Sequence, residues 1–456
     1  MRVHTCALAI VAIFTLIQNV FVKGNDCDKE ILSSLAAEAN TELDRELSLW
    51  FPRAVDRQYG GFHSVLNRDW SVQEYPHKGI IPQSRMVYIT SEIAMRLPQY
   101  KDEYKEYAVQ GGKFLRESMW DRQYGGFFWE VTVSGEPAAE DISEMKHAMG
   151  QAFAIFAMAN LYRATRDESW LATARQAFEW LDRYGHDADN GGYQEAFYRD
   201  GRPMLTAPED RPEMTLGKAR EPLGCKSMNT HMHILIAFTA LYEVWPNELL
   251  RERLSELRTI LRDKIVTWPG AARQFFLPDW TPAVSYDSFG HDLQIAWYLM
   301  KAEAALGYDE RDKTFSAAKK LVDHAMDYGW DQTCGGFFYN GASFSLPNDR
   351  SKFWWTQAEG LNLLLLMHRL YREDRYLSAL SDQWRFIRNN LLDKEHGGWF
   401  PVTDEDGRNP RGLDRRFDQT TGGLEKCHYW KTAYHEIRAL LNLADSGQYL
   451  LPDMHE

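Results

Sequence analysis

Cysteine is scarce in this chain, with five among 456 residues. One of them, Cys6, lies in an apolar N-terminal run, which leaves Cys27, Cys225, Cys334 and Cys427. Four thiols make no disulfide framework, and no spacing reads as CxxC or another zinc pattern, so no metal is expected. A single bridge has room to form but nothing requires it. Basic runs are absent and the formal charge is −13, which excludes a nucleic-acid surface or an anionic membrane partner, because phosphate recognition needs clustered Lys and Arg. Neither a Walker-type nor a Rossmann glycine loop occurs, so no cofactor is expected. No linker rich in Ser, Pro and Gly interrupts the chain, and a composition of 44% hydrophobic and 26% charged residues suits one globular domain.

Long apolar runs are confined to residues 6–22, after Arg2 and before Val22-Lys23-Gly24, whose small residues resemble those ahead of a signal-peptidase cut. The run contains Gln18 and Asn19 and is short for a membrane span. Residues 1–24 are therefore read as a signal peptide and residues 25–456 as a single catalytic domain, exported and free of the membrane. Losing Arg2 and Lys23 makes the mature chain more acidic still.

What the chain does have is a repeat. An aspartate followed four residues later by Gly-Gly and an aromatic residue occurs five times: DRQYGGF from Asp56, DRQYGGF from Asp121, DADNGGY from Asp187, DQTCGGF from Asp331 and DKEHGGW from Asp393. The intervals are 65, 66, 144 and 62 residues, so the long one spans two periods with a copy eroded in WPGAARQFFLPDW, 268–280. Six units follow. Each has room for two helices and a short hairpin, for which Gly-Gly supplies the positive φ of a tight turn.

Between these turns the apolar residues recur at helical spacing in pairs of segments: 82–97 with 101–119, 143–164 with 168–184, 228–244 with 247–266, 289–306 with 311–328, and 353–371 with 375–391. Helices at 28–50 and 428–445 remain, and pairing them closes a ring between the chain's ends. The expected fold is an all-α (α/α)6 barrel, because each pair buries its second apolar face only against neighbours. First helices such as KSMNTHMHILIAFTALY are apolar around most of their circumference and should line the barrel. Second helices such as NELLRERLSELRTILRDK are amphipathic and should form the outer ring.

The unusual polar and aromatic residues stand at or near the N-terminal turns of first helices: Arg85, Asn229, His231, His233, His291, Trp354, Trp355, Trp430 and His435. Helices entering a ring in one direction bring such groups to one mouth. Singly, a histidine there is more often structural than catalytic, and Trp354 and Trp355 serve equally as core aromatics. Recurrence in five of six units raises the set above its members. His231 and His233 are spaced i and i+2 and cannot share a helix face, so at most one points at the site.

The segments KSMNTHMHILIAFTALYEVWP (226–246), SFGHDLQIAWYL (288–299), FWWTQAEGLNLLL (353–365) and WKTAYHEIRALL (430–441) resemble those of the N-acylglucosamine 2-epimerase superfamily, and the Asn-Thr-His-Met-His stretch resembles its branch acting on cellobiose and mannobiose. The resemblance implies a sugar 2-epimerase with His291 and His435 as acid and base. Arg85 would contact the sugar oxygens at carbons 1 and 2, Asn229 and His233 would bind substrate, and Trp354 or Trp355 and Trp430 would stack on sugar rings, with Trp297 and Glu359 supporting the pocket. Where the family has Gly-His-Asp-x-Glu, this chain has Gln294, which removes a charge expected to favour the His291 imidazolium; Asp292 is placed to compensate in part. Carbon-2 inversion suits two histidines, which take and give protons near neutral pH, and an arginine for the enediolate. The partner is thus a small carbohydrate, the oligomeric expectation a monomer. An aldose–ketose isomerase, a glycoside hydrolase using Asp287 and Glu359, and a non-catalytic sugar-binding protein are the alternatives.

Overall fold

The repeated turns set the course of the chain. At the first, the Asp56 amide donates to the Gly61 carbonyl at 3.1 Å and the Gly60 amide returns a bond to the Asp56 carbonyl at 3.1 Å. Asp56 Oδ1 accepts from the amides of Gln58 and Tyr59 at 2.9 and 3.0 Å. Gly60 and Gly61 lie at φ of 81° and 67°, where a side chain is strained. The other carboxylate oxygen takes a buried lysine from the strand that enters the next helix. Lys78, Lys146, Lys226, Lys352 and Lys426 meet Asp56, Asp121, Asp187, Asp331 and Asp393 at 2.7, 3.0, 2.7, 2.6 and 2.9 Å.

Five residues beyond the lysine, the helix clamps the backbone of the turn's aromatic residue. Gln83 does so at Phe62, Gln151 at Phe127 and Gln357 at Phe337. His231 takes that place in the third unit, its Nε2 accepting from the Tyr193 amide at 2.9 Å and its Nδ1 donating to the Ser227 carbonyl at 2.7 Å. The eroded copy is a two-residue-strand hairpin, Val266–Thr267 with Ala271–Ala272, turning through Gly270. In the intact copies the expected hairpin shrinks to one bridge, such as Val55 with Phe62. The longer pairings instead stitch neighbouring units, as when His77–Gly79 pairs with Glu130–Thr132.

The computed structural model describes residues 3–137, 145–206, 222–283, 286–343, 345–408, 423–448 and 450–451, with side chains from residue 27 onward. Its α-helices are α1 (Val3–Trp50), α2 (Ile80–Arg96), α3 (Lys101–Phe114), α4 (Ala148–Thr165), α5 (Glu168–Gly185), α6 (Met228–Tyr242), α7 (Glu248–Ile260), α8 (Phe289–Ala305), α9 (Arg311–Gly329), α10 (Trp354–Tyr371), α11 (Asp374–Phe386) and α12 (Tyr434–Ala444). The even-numbered helices pack in succession, α2 on α4, α6, α8, α10, α12 and back to α2, and each carries an odd-numbered helix outside it. Helix α1 covers α12, so the ring closes between the chain's ends as expected.

Inner helices are buried nearly all round: every residue of α4 from Ala148 to Leu161 is buried. Outer helices α3, α7 and α11 run on into π-helical turns at Leu115–Met119, Leu261–Ile265 and Ile387–Leu391, which the helical periodicity did not separate. The last inner helix starts at Tyr434 rather than 428, because residues 428–433 form a turn in which the His428 amide donates to the Lys431 carbonyl at 3.0 Å. Cys27, Cys225, Cys334 and Cys427 are free thiols. Among the described residues, no helix is long and apolar enough to cross a membrane.

Candidate active site

Because every inner helix starts from a stitched strand or turn at the same end of the ring, equivalent positions of the repeat fall at equal depth. The sixth residues of α2, α4, α6, α8 and α10 are Arg85, Phe153, His233, Gln294 and Glu359. They form one layer. The Arg85 guanidinium lies over the Phe153 ring at 4.9 Å, Phe153 stands 4.4 Å from the His233 ring, and Gln294 Nε2 donates to Glu359 Oε1 at 3.4 Å. Tyr298 and Tyr434 complete it: His233 lies 6.0 Å from Tyr298, and Arg85 lies 5.3 Å over Tyr434.

One turn nearer the mouth stand the two candidate acid/base groups. His291 is the third residue of α8 and His435 the second of α12. Both rings lie against Trp355, at centroid distances of 4.8 and 6.1 Å. Trp355, Trp430, Asn229 and His291 are half-buried, whereas Arg85 and His435 are 7% and 3% exposed. Arg85 is braced by donating to the Trp430 carbonyl at 2.8 Å.

Glu359 organises one side of the site. Its Oε1 accepts from His435 Nδ1 at 2.7 Å and from Arg438. Burial opposes its ionisation, but Arg438 and His435 outweigh burial and hold it below the usual glutamate value. An ionised carboxylate only accepts, so His435 Nδ1 carries the proton and Nε2 presents a lone pair. Burial pushes His435 down to about 3, with Glu359 opposing, and His291 down to about 4. His233 is driven well below its ordinary value by burial and then by Arg85 and the other two histidines. At neutral pH all three rings are uncharged. His291 differs from His435 in one respect: its Nδ1 is buried without a hydrogen-bond partner.

Several expected roles change in detail. Gln294 donates to Tyr298 Oη at 3.0 Å and to Glu359, away from His291, because its amide follows the i+4 hydroxyl down the helix. Its nearest charged neighbour is therefore the carboxylate behind His435. Trp297 supports the site only from below: its indole lies under the Arg438 guanidinium at 4.6 Å, donates to the Leu450 carbonyl at 2.9 Å, and helps line a cavity of about 540 Å³ at the inner helices' C-terminal ends. Trp354 is buried edge-on to His428 and His435, leaving the half-buried Trp355 as the accessible platform. His231 is occupied by the turn, and His233 alone of that pair reaches the layer. Asp287 faces His324 at 3.5 Å and Glu359 faces His435, so the carboxylate pair of a hydrolase is not assembled. Arg438, Tyr298, Tyr434 and Phe153 were missed from sequence. Arg438 had a signal, a charge about one turn after His435 at the start of the apolar run Ala439–Leu441.

The model of the N-acylglucosamine 2-epimerase family matches residues 60–414. The cellobiose 2-epimerase of Bacteroides fragilis is 30% identical over 411 residues, covering 90% of this chain and 98% of its own. That of Ruminococcus albus is 28% identical over 91% of this chain and 99% of its own. The solved structure of the cellobiose 2-epimerase from Spirochaeta thermophila superposes with a TM-score of 0.76 at 28% identity, over 94% of this chain and 99% of that one. A ring of six stitched helix pairs with two histidines at one mouth, matched over this span, makes the chain a member of the N-acylglucosamine 2-epimerase family.

Proposed function

We propose that this protein inverts carbon 2 of the reducing-end aldose of a β-1,4-disaccharide of the cellobiose or mannobiose type, through a cis-enediolate. The observation that carries this is the pair of imidazoles from different helices, His291 and His435, lying against one tryptophan above a buried arginine. In one direction His435 Nε2 takes the carbon-2 proton, and the electron pair moves onto the carbonyl oxygen of carbon 1. The proton on His435 is balanced by the ionised Glu359 behind it. Arg85, planar and always charged, answers the developing negative oxygen. His291, uncharged at rest, takes up a proton from solvent for this half of the cycle and returns it to the opposite face of carbon 2. The reverse reaction exchanges the two roles, and solvent resets the protons.

Trp355 and Trp430 offer apolar faces to sugar rings, and the curated relatives bear the name of the disaccharide reaction. The protein works as an exported monomer, cut after residue 24, with a free carbohydrate as its only partner and no cofactor. Incubating cellobiose and mannobiose in deuterated water tests the reading. A 2-epimer carrying deuterium at carbon 2 is expected. A ketose would make the protein an isomerase, monosaccharides a hydrolase, and unchanged sugar a binding protein.

A further inference from the structure

Five of the six units bury a lysine ammonium against the turn aspartate. The unit with the eroded turn changes both members. Val266 pairs with Ala272 as Trp120 does with Phe127, so Thr267 stands at the aspartate position, Asp287 at the lysine position, and Asp292, five residues on, at the clamp position, where its Oδ1 accepts from the Ala272 amide at 2.9 Å. A place that holds a buried positive charge elsewhere in the ring here holds two buried carboxylates, each 1% exposed.

We propose that Asp287, Asp292 and His324 form a divalent-cation site behind the first turn of α8. One donor atom from each lies within 4.8 Å of the others. Donors on one cation stand about 3.0–3.9 Å apart when adjacent and up to about 4.8 Å apart when opposite, for bonds of about 2.1–2.4 Å, so three donors within this limit fit a single ion. His324 Nε2 lies 2.7 Å from the Ser343 carbonyl, which only accepts, so Nε2 carries a proton. Nδ1 then turns toward Asp292 Oδ2 at 3.2 Å. Donating the far ring N–H to a backbone carbonyl is how a ligating histidine is held.

A second observation points the same way. Neither carboxylate oxygen of Asp287 accepts a hydrogen bond from a nitrogen or hydroxyl donor, and His324 Nε2, 3.5 Å away, already donates to the Ser343 carbonyl. A second buried carboxylate beside Asp292 is costly, and a cation between them relieves it. Two carboxylate oxygens and one imidazole nitrogen suit Zn²⁺ or Mn²⁺ rather than a soft ion. Such a cation ties the strand Asp287–Ser288, α8 and α9 together one residue from His291, and so holds that ring in place without touching substrate. The spacing of cysteines and histidines gave no hint of it, since the three ligands come from three elements.

The test is calorimetric titration of chelator-stripped protein with Zn²⁺ and with Mn²⁺, alongside thermal unfolding with and without each ion. About one equivalent should bind to the unaltered protein and raise its unfolding temperature. Asp287→Asn and His324→Gln should weaken binding by at least about tenfold. The double substitution Thr267→Asp with Asp287→Lys rebuilds the pair found in the other five units. It should fold and bind neither ion even if the single variants misfold. Absence of binding by the unaltered protein, or undiminished binding by the double variant, overturns the site and leaves a carboxylate pair that shares a proton with His324.

Discussion

His435 donates through Nδ1 to Glu359 at 2.7 Å, while the same carboxylate oxygen also accepts from Arg438 and from Gln294. The two candidate bases are therefore unequal. His435 has a fixed tautomer and a carboxylate in direct contact, whereas His291 Nδ1 is buried without a hydrogen-bond partner.

Removing that counter-charge should be felt at once. Glu359→Gln keeps the shape but strips the charge that favours protonated His435, and it leaves the buried Arg438 without a counter-charge. We expect kcat to fall by roughly 10²–10⁴, with KM little changed, and stability to fall by about 3–5 kcal/mol. Steady-state kinetics and denaturant unfolding of the same preparation check both. A variant with normal turnover would dissociate Glu359 from the chemistry.

Replacing either base separates chemistry from binding. His291→Ala and His435→Ala should each lose epimerisation by at least about 10² while keeping most disaccharide affinity, since Trp355, Trp430 and Arg85 remain. Product analysis by NMR beside equilibrium binding measures this, and near-normal turnover of either variant contradicts the two-base assignment.

Gln294→Glu would set a second carboxylate beside Glu359 and near His435. The added negative charge should raise the pKa of His435. A base must be unprotonated to act, so the acid limb of the pH–rate profile should move to higher pH. An unmoved limb would show that position 294 does not couple to His435.

The turn aspartates should govern acid stability. Burial opposes ionisation of Asp121 and Asp187, yet bonds from Arg199 and Lys146 to the first, and from Lys226 and Asn190 to the second, hold each at about 2. A depressed carboxylate contributes stability that is complete above its unfolded value near 4 and is lost as pH falls toward 2. Unfolding free energy measured from pH 5 to 2 should drop steeply. Asp121→Asn should remove on the order of 1–2 kcal/mol of the neutral-pH stability and flatten that fall. Equal slopes in the two proteins would refute the assignment.

Substrate length should matter as well. Contact with the non-reducing sugar contributes binding energy expressed in the transition state at the reducing end. Glucose and mannose should therefore show kcat/KM at least about tenfold below cellobiose and mannobiose, some 1.4 kcal/mol. Equal values would point to a monosaccharide enzyme.

Much of this was legible without a structure. The Asp-x3-Gly-Gly-aromatic period announces six units because a tight turn with two positive-φ positions tolerates little but glycine, and the alternation of apolar and amphipathic helices separates inner ring from outer. One-way entry of the inner helices follows from the same period, so the convergence of His291, His435, Arg85 and His233 at one end could be read from position alone. Repetition converts sequence spacing into depth.

What the sequence could not show is which groups meet across units. The lysines that lock each turn lie 21–39 residues beyond their aspartates among many other lysines, and only folding selects them. The layer of Arg85, Phe153, His233, Gln294 and Glu359 joins residues from five helices, and its members differ in chemistry although they share a position. Gln294 illustrates the limit: three residues after His291, it turns instead to Tyr298 and Glu359, because a side chain goes where a buried partner satisfies it. Asp287, Asp292 and His324 make the same point at the eroded turn. The sequence by itself determined the ring and the end at which its chemistry gathers, since both follow from local periodicity. The pairing of charges inside it was decided by the tertiary structure, since in a water-excluded core each polar group must find its partner among whatever the neighbouring helices bring within reach.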